Sequence, residues 1–424
     1  MKKRVLIKDV FSEKQKQVEV VGWVQNTRDL SKVKFLVLRD VSGIIQVTGI
    51  QGKTPEKIFK DMEKITKESV VYVRGSVKES KQAPGGKEIN PEKLVVMNVA
   101  EKLPIDVSEN SKTELPKRLD YRYLDLHRNR TQAIFRIKAE IANSFREYFY
   151  KKGFMEVFLP SLISSSSEGG TELFSVNYFN KKVYLAQSPQ LYKQMLACAV
   201  EKVFTIAPVW RAEKHNTVRH LNESRQMDIE MAFAGQEEVM SELADAVKYI
   251  VSQVLKKCKN ELGSLGVKLK VPKVKYLSYD ETVKLLKIKY GEDLSPENEK
   301  ALGKKFPDTI VFVHSWPVAL KPFYIMPEKD ENSKLSKGFD AIYKGTEISS
   351  GGQRVHLPEL LKKMLKKKGL NPKDFKDYLS SFKFGAPSHA GWSIGLERLT
   401  QLIVAEKNIR DVVLFPRDRD RLVP

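Results

Sequence analysis

The chain has 424 residues, 41% of them hydrophobic, and 74 Lys+Arg against 53 Asp+Glu give a formal charge of +21. That composition is globular and long enough for two or three cores, and its charge either suits a polyanionic partner or merely keeps a lysine-rich protein soluble. Two cysteines (Cys198 and Cys258) and six histidines without metal-type pairing exclude a disulfide framework and a cysteine-built zinc centre, and no run is long enough to span a bilayer, so a soluble, cytoplasmic protein is expected.

The first hundred residues contain five β-branched segments, "VEVVGWVQ", "KFLVLRD", "GIIQVTGI", "VVYVRGSV" and "EKLVVMNV", separated by polar turns. Five such strands suit a small barrel of the oligonucleotide-binding (OB) kind, although a generic small β-domain fits the pattern too. We place this barrel at 1–103 and a charged, proline-containing linker or hinge at 104–131. From 132 to 424 the pattern is that of a larger α+β domain. Ile134, Ile137, Ile141, Phe145 and Tyr148 follow helical spacing up to Gly153, and the stripe is broader than one surface helix needs. Strands and helices then alternate irregularly, with helices expected across 237–257 and 358–368 and a glycine turn entering a helix at "WSIGLERLTQLIVA". The stretch 262–345 gives no clear period.

The most informative segment is "VFTIAPVWRAEKHNTVRHLNESRQMDIEM" (203–231). Residues two apart on a strand share a face, so Arg211 and Glu213 project together at a loop mouth. A cation beside a carboxylate there suits a ligand that carries phosphate with amine or hydroxyl groups, and a surface ion-pair ladder is the plain alternative. "SSSSEGGTELF", "LAQSPQLYKQML", "EISSGGQRVH" and "WSIGLERL" lie elsewhere in the chain, and none matches a Walker loop or a dinucleotide fingerprint.

Taken in order, these segments resemble the class II aminoacyl-tRNA synthetases. The helix with "KKGFMEVFLP" is similar to that class's first motif, a dimer-interface element; 203–231 resembles the second and "GLER" the third. The barrel-first arrangement and "YRYLDL" resemble the aspartyl, asparaginyl and lysyl subgroup. "EGGTELF", "AQSPQLYKQ", "KPFYIMP", "EISSGGQR" and "LFPRDRDRL" resemble the aspartyl enzymes of the archaeal and eukaryotic type. The fold implied is an N-terminal OB barrel followed by an antiparallel catalytic sheet flanked by helices.

The resemblance implies residue roles. Arg211, Glu347 and Arg398 would be catalytic. ATP would be held by Arg211, Glu213, Arg219, His220, Leu221, Glu347, Gly395, Leu396, Glu397 and Arg398, and Mg²⁺ by Glu347 and Ser350. Aspartate would sit among Glu168, Gln190, Lys193, Arg211, Ser350 and Arg354, with Gly351 and Gly352 letting the backbone turn beside it. Lys193 and Arg354 form a pair of cations that would demand an anionic side chain, disfavouring asparagine by about 3–5 kcal/mol. In the barrel, Phe35 would stack an anticodon base and Gln46 bond a base edge. Enzymes strict for one tRNA tend to carry tryptophan and lysine where Gln25 and Pro84 stand, so tRNA(Asn) is expected as a partner beside tRNA(Asp). The family also implies a homodimer.

The chain departs from the family pattern at Ser393, where glycine is usual, and at Ser224, where phenylalanine often follows the glutamate; both leave the packing of adenine open. Three other readings stay open: an asparaginyl enzyme, a tRNA-independent amino-acid ligase of the same fold, and a non-catalytic RNA-binding paralogue.

Overall fold

A computed structural model describes residues 4–12, 16–164 and 173–424. The chain divides into two compact units, Met1–Asp106 and Val107–Pro424.

In the first unit, strands β1 (Gln17–Asp29), β2 (Val33–Arg39), β3 (Ile44–Ile50), β4 (Val70–Glu79) and β5 (Lys87–Asn98) close into a barrel in the order β1-β2-β3-β5-β4. Period-two alternation drives this closure. Val18, Val20, Val24, Leu36, Leu38, Ile45, Val47, Val71, Val73 and Ile89 point inward and are buried. Each contributes roughly 1.5–3 kcal/mol relative to an exposed side chain. Where strands cross closely only glycine fits: a Cβ on Gly22 would lie 2.2 Å from the Arg39 carbonyl oxygen. A bulge between Val24 and Asn26 interrupts the β1–β2 ladder at Gln25.

The second unit begins earlier than the expected boundary at 132. The segment assigned to a linker contains the helices Leu115–Asp120 and Arg122–Asp125, and Arg122 and Asp125 are fully buried. Arg122 Nη1 donates to Asp125 at 2.6 Å, and its Nε and Nη2 reach the carbonyls of Leu414, Arg410 and Val413. A buried guanidinium with all these bonds does not belong to a hinge. Only 104–106 fall outside this unit.

Helix α1 (Asn129–Lys151) leads into strand β6 (Met155–Glu156) and a small sheet of β7 (Leu162–Ile163), β8 (Ser175–Tyr178) and β9 (Lys181–Leu185). Helix α2 (Gln190–Val200) follows, then β10 (Lys202–Trp210), β11 (Glu223–Ala232), helices α3 (Gln236–Lys257) and α4 (Lys259–Leu265), and β12 (Lys273–Ser278). The remaining strands are β13 (Thr309–His314), β14 (Gly338–Tyr343), β15 (Thr346–Gln353) and β16 (His389–Gly395), which runs into helix α5 (Leu396–Val404). The main sheet has the order β12-β13-β14-β15-β16-β11-β10-β6. Its inner pairs are antiparallel as expected, but both edge pairs, β12 with β13 and β6 with β10, are parallel. Strands β13 and β14 are buried on both faces, so neither shows alternation within 262–345.

The apolar stripe of α1 is consumed inside the chain. Ile134, Ile137, Ile141, Phe145 and Phe149 pack in the main core with α3, α4, α5 and the sheet. Its breadth therefore does not argue for a second copy. Tyr150 on α1 is exposed, and so, further along the chain, are Met155, Phe158 and Phe179.

Candidate active site

The floor of the site is set by strand register. Asp228 on β11, Ser393 on β16, Ser350 on β15 and Asp340 on β14 are partners in successive ladders and share one face. The next row on that face is Glu230, Gly391, Gly352 and Gly338. This row must be low. A Cβ on Gly391 would stand 2.2 Å from Glu230 Oε2, and one on Gly352 2.4 Å from the Lys337 carbonyl oxygen. Gly351 meets the opposite side, where a Cβ would come within 2.6 Å of Phe339. "EISSGGQ" is thus continuous strand, and the expected turn at Gly351 and Gly352 is corrected: these glycines permit close approach, not reversal.

A cavity of about 310 Å³ lies over this floor. At one end it is lined by Ser188, Gln190, Tyr324, Ser350, Ser393 and Arg354. Gln190 leads α2, and its amide donates to Gln194 at 2.9 Å; Gln194 in turn meets His389 and the Tyr378 hydroxyl. Lys193 does not line the cavity. Its Nζ lies 2.6 Å from Asp228 Oδ1, 3.2 Å from the Trp392 carbonyl and 3.6 Å from Glu230 Oε2. Arg354 reaches Glu230 through Nε at 2.9 Å and Nη2 at 3.3 Å. Burial pushes the Glu230 carboxyl upward, but Arg354 and Lys193 outweigh it and leave it below the usual range. The expected pair of bare cations is therefore corrected: each cation arrives with a carboxylate, and the four charges sum to zero. What remains is positional. Arg354 borders the cavity, whereas Lys193, Asp228 and Glu230, all buried, do not.

Asp228 and Glu230 went unassigned in the sequence, although the alternation of "DIE" placed them on one face. Ser393, the departure from glycine, donates to Asp228 Oδ2 at 3.0 Å. It belongs to this end of the cavity.

The other end is built on the loop between β10 and β11. Arg211, Glu213, Arg219, His220 and Leu221 line the cavity with Glu347, Gly395, Glu397 and Arg398. Leu396 does not; it turns into the main core, as the first residue of α5 must when Leu399 and Ile403 share its face. Glu397 is anchored, accepting from the Arg225 amide at 2.9 Å and from Lys138 at 2.8 Å. Arg398 donates to the Glu347 carbonyl at 2.8 Å, and Arg219 lies 3.6 Å from Glu299. Burial and the nearby charge of Asp340 push the Glu347 carboxyl up to about 7, against the pull of Arg398 and Lys321. Ser224 also borders the cavity. Glu168 lies outside the described residues.

In the barrel, Phe35 is half-buried on the outer face between Arg28 and Thr48 on the flanking strands. The Gln46 amide donates to Glu88 at 2.9 Å, and Thr48 donates to the same oxygen at 2.7 Å. Gln25 sits at the bulge with its side-chain oxygen buried and unbonded, and Pro84 opens the Pro84–Gly86 turn between β4 and β5.

A closed five-strand barrel and a sheet-floored cavity with arginines at both ends define a class. The family "tRNA synthetases class II (D, K and N)" matches residues 114–419, and "OB-fold nucleic acid binding domain" matches 18–97. Aspartate–tRNA(Asp/Asn) ligases of Methanothermobacter thermautotrophicus and Methanocaldococcus jannaschii are 46% and 45% identical, over 96% of this chain and 95% of theirs. The aspartate–tRNA(Asp) ligase of Pyrococcus horikoshii is 44% identical over 96% of each chain. The crystal structure of asparaginyl-tRNA synthetase from P. horikoshii with asparaginyl-adenylate matches all of both chains with a TM-score of 0.95 at 33% identity. The chain belongs to the aspartate–tRNA ligase family of class II synthetases.

Proposed function

We propose that this protein activates L-aspartate with ATP to aspartyl-adenylate and passes the aspartyl group to the 3′ end of tRNA, serving both tRNA(Asp) and tRNA(Asn). The observation that carries the choice of amino acid is that Arg354, alone of the four buried charges, borders the cavity. An aspartate carboxylate gains a charge-assisted bond there that asparagine cannot match, a difference of about 1.5–3 kcal/mol. Gln190 and Ser350 border the same end. Glu168 is assigned to it by resemblance alone.

Catalysis on this reading rests on position and charge. Arg211 stabilises the charge that builds on the α-phosphate as the substrate carboxylate attacks. Glu213 holds the adenylate portion, Arg219 and His220 the outer phosphates, and Arg398 lies against adenine. No protein nucleophile takes part. Mg²⁺ fits beside Glu347, since burial near Asp340 leaves that carboxyl short of compensating charge. Glu347 and Ser350 would hold it with the substrate phosphates as further ligands, and it would neutralise phosphate charge. Among the described residues no three His, Cys, Asp or Glu side chains form a metal cage, in keeping with a metal shared with the nucleotide.

For tRNA choice, two features support a relaxed reading. Gln25 and Pro84 present neither a bulky ring nor a cation, and the relatives at 45–46% identity carry names with both tRNAs. Charging of transcripts that differ only in the third anticodon base should proceed at comparable efficiency at one stated salt concentration. A preference above roughly a hundredfold would overturn this part. We also assign a homodimer, now on the exposure of Phe158 (88%), two residues past the edge strand β6, and of Phe179 (89%) in the β8–β9 turn. Sedimentation showing an active monomer at micromolar concentration would contradict it.

One observation favours the asparaginyl reading: the buried charges at the amino-acid end sum to zero. Pyrophosphate exchange with each amino acid decides between them.

A further inference from the structure

We propose that Arg410 is a positioning residue for ATP binding, acting through Asn216 and Thr217 to hold the β10–β11 loop in register with the cavity. The inference rests on the reading of that loop as the ATP-phosphate end. The loop carries Arg211, Glu213, Arg219 and His220 but has no ladder of its own between Trp210 and Glu223. Among the described residues, the bonds that 214–218 make outside the loop run to residues 409–420. Arg410 Nη1 donates to the Thr217 carbonyl at 3.0 Å, and its Nη2 bonds Asn216 Oδ1. The Ile409 amide donates to the Val218 carbonyl at 2.9 Å, Arg419 donates to the Lys214 carbonyl at 3.1 Å, and Asn216 bonds Asp420. At the loop's exit the Asn222 amide donates to the Arg417 carbonyl at 2.8 Å.

Arg410 is itself fixed from two sides. Its Nε donates to Asp418 Oδ2 at 2.5 Å, and Asp418 Oδ1 accepts from the amides of Asp420 and Arg421, each at 2.9 Å. Its backbone carbonyl accepts from the buried Arg122 at 2.9 Å, which also grips the carbonyls of Val413 and Leu414. A planar fork thus reaches four separate acceptors, Asn408 Oδ1 at 3.5 Å being the fourth, a geometry that lysine cannot reproduce. Arg410 does not line the cavity, whereas its neighbour Ile409 does. Its effect on substrate must therefore pass through the loop.

The test compares Arg410→Lys and Asn216→Ala with the wild type. ATP binding is measured directly by calorimetry, and pyrophosphate exchange is run at varied ATP and varied aspartate. Loss of one charge-assisted bond predicts a roughly tenfold weaker Kd and higher KM for ATP in each variant. The aspartate KM should stay within about twofold and Tm within a few degrees. Asn216→Ala is the safeguard, since it removes one acceptor of the fork, together with the Asn216–Asp420 bond, and leaves the bonds of Arg410 to Asp418 and Arg122 in place. Unchanged ATP affinity in Asn216→Ala, or equal losses for ATP and aspartate, would overturn the proposal. Absence of aspartate-dependent exchange in the wild type would instead overturn the functional reading, and the ATP titration still tests the loop.

Discussion

The two ends of the cavity are built by different means. On the proposed reading the amino-acid end stands on regular structure: Asp228 and Glu230 alternate on one strand, Lys193 rises from a helix, and all four charges, Arg354 included, are buried and matched. The phosphate end stands on an irregular loop held by residues from the far end of the chain. A buried and matched set is rigid, because moving one member exposes the charge of another. A loop held by a few bonds can be displaced at small cost. On the proposed reading, selection of the amino acid belongs to the stable part of the molecule, and capture of ATP to the adjustable part.

The strongest way to break this comparison is Lys193→Leu. It leaves Asp228 fully buried without its cation, which should cost about 3–5 kcal/mol of stability and abolish aspartate activation. Thermal and urea unfolding measure the first effect and exchange the second. Adding Asp228→Leu should restore much of the stability and none of the activity. If the single variant unfolds like the wild type, the amino-acid end is not the rigid set described.

Next in size, Gly391→Ala places a methyl group 2.2 Å from Glu230 Oε2. Overpacking of this kind costs about 1–3 kcal/mol, and it should raise the aspartate KM while the ATP KM stays put. Equal changes in both would blur the two ends into one. Glu347→Gln, at the phosphate end, should lower the rate at limiting Mg²⁺ well below the wild type while aspartate binding persists.

The smallest effect is one of pH. Glu347 at about 7 lies above its ordinary 4.5. The folded protein therefore keeps a proton there between these values that the unfolded chain releases, so this group's contribution to stability falls as pH rises through 7. Mg²⁺ with ATP favours the ionised form, and its thermal protection should grow from pH 6 to pH 8. In Glu347→Gln that growth should be reduced.

How much of this was legible follows the same division. The barrel strands and the α1 stripe could be read because alternation and helical period are local signals. What covers the stripe could not, since α3, α4 and α5 come from distant sequence. Arg211 and Glu213 were found through a charged loop mouth. Asp228 and Glu230 alternate on one strand, yet their partners Lys193 and Arg354 lie 35 and 124 positions away. A strand register that no local pattern encodes brings them together. The glycines of "EISSGG" were misread for a related reason: a turn is the local explanation of a glycine pair, and close approach across a sheet is a tertiary one. The hold of the C-terminal residues on the loop left no mark in composition or period.

On the proposed reading Arg354, the one member of a buried and matched charge set that borders the cavity, selects aspartate. Pyrophosphate exchange by the wild-type protein with aspartate and with asparagine, under saturating ATP and Mg²⁺, tests it most directly. The account predicts a kcat/KM for aspartate at least about tenfold above that for asparagine, the value of one charge-assisted bond. Equal exchange with the two amino acids, or a preference for asparagine, would contradict it.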